Sequence, residues 1–123
     1  MKIISLFLTY LFAVIMLLAG IAHLLKPAPY AGMVPGFLPT YAVIYVSGVF
    51  EIGIGLGIFI PRFRSLSSFV LFILMIAYLP IHVWDALKAH PAIGSHTIAY
   101  IRLPIQFVLI GWAWFIYHQT NKQ

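Results

Sequence analysis

The stretch "YAVIYVSGVFEIGIGLGIFI", Tyr41 to Ile60, carries one formally charged residue, Glu51, in an otherwise apolar and glycine-rich run. A helix of about 20 residues crosses a hydrocarbon core roughly 30 Å thick. Tyr41–Ile60 therefore reads as a membrane span with an acid at its centre. Three further runs have the same character: Ile3–Leu25, Ser65–Trp84 and Ile98–Tyr117. In lipid every backbone polar group must be satisfied within the chain, which leaves helices as the open-ended solution. The expected fold is an all-α, integral membrane four-helix bundle, with one domain over residues 1–123.

Composition agrees. The chain is 63% hydrophobic and 7% charged, with a mean hydropathy of +1.06. Soluble domains carry about 25% charged residues. The net charge of +5 does not mark a nucleic-acid binder, because the basic residues fall between the apolar runs. There they set topology. Lys2, Arg62, Arg64 and Lys122 lie on one side, against Lys26 and Lys88 on the other, which predicts cytoplasmic termini. The first run is long and ends without an A-x-A site, so it reads as a retained span. With no cysteine, disulfides, thiol redox and cysteine-held clusters are out. A redox role would need a bound cofactor or a partner subunit.

The connections differ. "KPAPYAGMVPGFLP", Lys26 to Pro39, holds too much Pro and Gly to continue a helix and is expected at the interface. "PRFR", Pro61 to Arg64, reads as a tight basic turn, and "DALKAHPAIGSHT", Asp85 to Thr97, as a solvated loop that includes His90 and His96. Aromatic residues near the run ends, among them Tyr30, Tyr41 and Trp84, read as interface anchors.

Glu51 lies roughly 16 Å into its helix, near midplane. A charge there costs about 2.5–3.5 kcal/mol or more, so Glu51 is expected to face the bundle interior, protonated or paired. Its candidate partners are His23 late in the first run, His82 and Asp85 late in the third, and Arg102 with Gln106 early in the fourth. Alternating helix directions bring all six to one half of the bundle, the outer half in the predicted orientation. A Glu51–Arg102 pair would be either a register-setting clamp or part of a proton or ligand site. No H-x-x-x-H or E-x-x-H spacing supports a metal, and none is predicted. Gly48 and Gly55 share the Glu51 face, and Gly53-x-x-x-Gly57 marks its neighbour. Such small residues let helices approach closely or leave room for a ligand.

These residues resemble the DoxX-like family of small bacterial membrane proteins. The likeness rests on "GIAHLLKP" (Gly20, His23, Pro27), "MVPGFLP", "SGVFEIGIGLG", "PRFR" and "RLPIQ", in the order Gly-x-x-His, Gly-x-x-Glu, Arg-x-Pro-x-Gln. It departs at "PIH", Pro80 to His82, where the family often has Pro-Ala-Asn. The resemblance implies a four-helix bundle in the bacterial inner membrane, accessory to a quinone-linked redox system. The expected site is then a polar pocket of His23, Glu51, His82, Asp85, Arg102 and Gln106, with a quinone as the possible cofactor. Expected partners are the lipid bilayer and other redox subunits or further copies of the chain. The alternatives are a non-catalytic assembly subunit and an oligomeric small-solute transporter.

Overall fold

The computed structural model describes residues 2–34, 36–87 and 96–121. Within them the chain forms four α-helices: α1 (Ile3–Leu25), α2 (Thr40–Phe59), α3 (Pro61–Leu87) and α4 (His96–Asn121). All four contain a stretch long and apolar enough to cross a membrane. Outward faces carry large apolar side chains such as Phe7, Val49, Phe50 and Leu66, each more than half exposed. An apolar surface of this extent is satisfied by lipid rather than water.

Two connections differ from expectation. Ile60 alone separates α2 from α3, and "PRFR" is the first turn of α3 rather than a loop. Pro61 suits that position, because the first helical residue needs no intrahelical N–H. The Lys26–Pro39 segment contains a 3₁₀ helix over Ala28–Met33. Tight i→i+3 turns are compatible with short Pro-containing segments that an α-helix rejects. At the other end of α3, Asp85 and Ala86 are helical and buried, not loop residues in solvent. The His90 portion of that loop lies outside the described residues.

The core is formed by Phe12, Ala13 and Met16 of α1, Ile54 and Ile58 of α2, Leu71 and Met75 of α3, and Ala113 and Ile116 of α4. Phe12 meets Trp112 with ring centroids 4.6 Å apart. The backbones of α1 and α2 approach closely at their glycines. A Cβ on Gly20 would sit 2.6 Å from the Gly48 carbonyl oxygen, and one on Gly55 would sit 2.9 Å from the Ala13 carbonyl oxygen. Only glycine permits that contact. The α2–α3 pair packs less closely than α1 with α2 or α3 with α4.

The terminal end of the bundle is held by Arg64, which is 5% exposed. Its Nε donates to the Ile58 carbonyl at 2.8 Å and its Nη2 to the Tyr10 hydroxyl at 2.9 Å. Its guanidinium also lies 5.3 Å from the Tyr10 ring centroid. Arg64 thus caps the carboxyl end of α2, where unpaired carbonyls and the helix dipole favour a cation. Nearby, Ser65 Oγ donates to Asn121 Oδ1 at 2.6 Å, joining the start of α3 to the end of α4. Tyr10→Phe keeps the ring and removes the acceptor. We expect it to cost about 1–2 kcal/mol in reversible unfolding in mixed micelles, whereas Tyr45→Phe on the exposed face of α2 should leave stability unchanged.

Candidate functional site

Glu51 is the centre of the site. The glycines on its own helix bring α1 against α2, so His23, one turn beyond Gly20, reaches the carboxylate. His23 Nδ1 lies 3.1 Å from Glu51 Oε2 and 2.7 Å from the Ala19 carbonyl oxygen. Both neighbours are oxygens, and the carbonyl can only accept, so Nδ1 carries a hydrogen. That hydrogen is directed at Ala19, and Oε2 is left with no well-aligned donor. On the other side, the Tyr78 hydroxyl of α3 donates to Glu51 Oε1 at 2.8 Å. Ser47 Oγ in turn meets the Tyr78 hydroxyl in a close hydrogen bond. A chain of polar atoms therefore runs Ser47–Tyr78–Glu51–His23 across three helices.

This chain borders a cavity of about 180 Å³, lined also by Tyr30, Val34, Val43, Ile44, Ile81 and His82. Its wall is mostly apolar, with the polar groups converging at one side, as ligand sites commonly are. Tyr30 from the 3₁₀ helix stacks on His23, ring centroids 4.2 Å apart and planes 15° from parallel. The connecting segment thereby roofs the cavity and fixes the imidazole plane. Glu51 is 3% exposed and lines the cavity, and its Oε2 has no well-aligned hydrogen-bond donor. An ionised Oε2 can accept from a ligand hydroxyl. A protonated one can donate to a ligand carbonyl.

The six residues expected from sequence divide into two groups. His23, Glu51 and His82 line the cavity. Asp85, Arg102 and Gln106 do not, and the expected pairing of Glu51 with Arg102 is replaced by another. Arg102 Nη2 lies 3.4 Å from Asp85 Oδ2, tying α4 to the end of α3. Asp85 is nearer because α3 continues helically through Pro80, which carries Asp85 inward toward the start of α4. Gln106 Nε2 donates to the Met75 carbonyl at 2.6 Å and faces α3, not the cavity. His82 joins the groups along the chain: it lines the cavity and lies three residues before Asp85 on α3.

Tyr78, Ser47 and Tyr30 are the residues that sequence reasoning missed. Tyr30 read as an interface anchor, yet it is packed on His23. For Tyr78, the available signal was helical register. Tyr78 and His82 are one turn apart on α3, so a face carrying His82 toward the cavity carries Tyr78 with it.

Four apolar helices, three of which line an acid-centred, histidine-lined cavity, define a multi-pass membrane protein of the helical-bundle class. The chain belongs to the family described as Domain of unknown function (DUF8561), which it matches over residues 12–117. That span contains all the cavity-lining residues and the Asp85–Arg102 pair. Neither a curated protein nor a solved structure matches the chain.

Proposed function

We propose that the chain is a DoxX-like accessory subunit of a quinone-linked membrane redox system, and that the Glu51 cavity holds a small polar head group. The observation that carries this reading is Glu51, a buried carboxyl group among the residues lining an apolar-walled cavity, whose Oε2 has the His23 ring beside it but no well-aligned donor. A quinol hydroxyl could donate to it and a quinone carbonyl could accept from it, so one atom suits both redox forms. The Tyr78 and His23 contacts hold the carboxyl group in place as its proton comes and goes. The chain's own residues would bind the head group and take or give a proton, while electrons pass to a partner subunit. On this reading the protein resides in the bacterial inner membrane with both termini cytoplasmic and the cavity toward the outer leaflet.

The test is calorimetric titration of the protein in lipid nanodiscs with a tail-less dimethoxy-methyl hydroquinone. Wild type should bind, and Glu51→Gln should bind at least about tenfold more weakly, since a hydrogen bond to a charged group contributes roughly 1.5–3 kcal/mol. Its melting temperature should stay close to wild type, because the amide oxygen still accepts from Tyr78. Equal affinity in both proteins would end the proposal.

A second reading, a non-catalytic assembly subunit, draws on the same contacts, because Glu51 links α2 both to His23 on α1 and to Tyr78 on α3. In that case Glu51→Gln loses membrane abundance and thermal stability, and no head group binds either protein.

A further inference from the structure

The head-group cavity does not stand alone. A second hollow, lined by Pro39, Val46, Phe50 and Leu74, shares Val43, Ser47 and Tyr78 with it. A third, lined by Val49, Gly53, Leu66 and Val70 among others, shares Phe50 with the second. The three lie in succession along the α2–α3 seam, polar at the cavity and almost wholly apolar below it. From the level of Tyr78 to that of Leu66 the track follows about 18 Å of α3, at 1.5 Å per residue. Its rims are Val46, Val49, Phe50 and Leu66, which sit on the lipid-facing surface.

Gly53 is an independent mark of the same track. Gly20, Gly48 and Gly55 have neighbours that forbid a side chain, whereas a Cβ on Gly53 would meet nothing within 4 Å. A mid-helix glycine costs roughly 0.5–1 kcal/mol relative to alanine. No contact with α1 or α3 explains it here. Gly53 is exposed, and its missing side chain leaves the surface groove open where the third hollow lies.

We propose that cavity and seam are one binding site for an amphiphile. The polar head lies at Glu51, and a long apolar tail lies along the α2–α3 seam. This rests on the head-group reading of the cavity given above. The tail is that of the same ligand, because hollow and cavity share the Ser47–Tyr78 wall. The ligand arrives sideways from the bilayer. The hydrogen bond between Ser47 and Tyr78 is the bar it passes, and that bond stays open while the tail lies between the two side chains. Ligands of this kind are selected by tail as well as head, which a cavity open only to water cannot do.

The test uses a benzoquinone bearing a decyl chain with a terminal photoreactive diazirine, and the same decyl diazirine without the ring, in nanodiscs. Labelled peptides are mapped by mass spectrometry. The ring-bearing probe should label the α2 and α3 segments around Gly53 and Leu66, in excess of the lipid faces of α1 and α4. An excess of tail-less hydroquinone should suppress it. Gly53→Leu fills the seam and improves helix propensity, and its Cβ meets nothing within 4 Å, so the fold should persist. It should weaken binding of the decyl quinone about tenfold, the worth of roughly two buried methylenes, and leave the tail-less probe unaffected. Gly111→Leu, also in open space but on α4, should change neither. Equal seam labelling by the ringless probe means an ordinary acyl chain occupies the track, and overturns the proposal. Tail-less binding that depends on Glu51, with no seam labelling by the decyl quinone, overturns the tail site and leaves the head site standing. Failure of both probes to bind overturns both.

Discussion

Asp85→Ala is expected to lower the unfolding free energy by about 3 kcal/mol, among the largest effects of a single change in this chain. Asp85 is 1% exposed and stands 3.4 Å from the Arg102 guanidinium. Removing the carboxylate leaves a mostly buried cation without its counter-charge, in surroundings where lipid and protein solvate it poorly. The side chain of Arg102 keeps 19% exposure, which places the cost at the lower end of the range for buried pairs. Asp85→Asn, which keeps an oxygen acceptor, should cost less. The decisive comparison is the double variant Asp85→Ala with Arg102→Met. An apolar pair often replaces a buried ion pair at little cost, so most of the lost stability should return. Reversible unfolding in mixed micelles measures all three. A loss below about 1 kcal/mol for Asp85→Ala would show that the pair is solvated and structurally idle.

Gly20→Val is expected to cost about 1–3 kcal/mol or more and to abolish head-group binding together with it. The new Cβ would lie 2.6 Å from the Gly48 carbonyl and 3.0 Å from the Ile52 amide nitrogen, both backbone atoms that cannot swing aside. Separation of α1 from α2 relieves the clash, and His23 moves away from Glu51 as α1 retreats. Stability and binding therefore fall in one substitution at a residue that touches no ligand. Gly111→Val, whose Cβ meets nothing within 4 Å, is the matched control and should alter neither. Normal binding in Gly20→Val would mean that the helix contact is not what holds His23 in place.

The four spans were legible because each is a continuous apolar run of membrane length, a signal that survives any detail of packing. The buried position of Glu51 followed from the cost of a charge in lipid. Its partner did not. His23, Asp85 and Arg102 were all within plausible reach by register, and the choice depended on how near α1 and α2 lie and how far α3 continues as helix. The first is decided by Gly20 against Gly48, a pairing between distant parts of the chain. The second turns on Pro80, which reads locally as a break yet sits within a continuous helix. Arg64 was legible only as a topology charge. That it folds back onto the Ile58 carbonyl needs the one-residue connection at Ile60, which apolar periodicity does not reveal.

That short connection has a mechanical consequence. With Ile60 as the link and Arg64 bracing the Ile58 carbonyl against Tyr10, the two hairpins are jaws with their pivot at the terminal end. Displacement then grows with distance from the pivot. Tyr78 stands about 26 Å along α3 from Pro61, so a splay of roughly 10° would part the jaws there by about 4 Å while hardly disturbing the fulcrum.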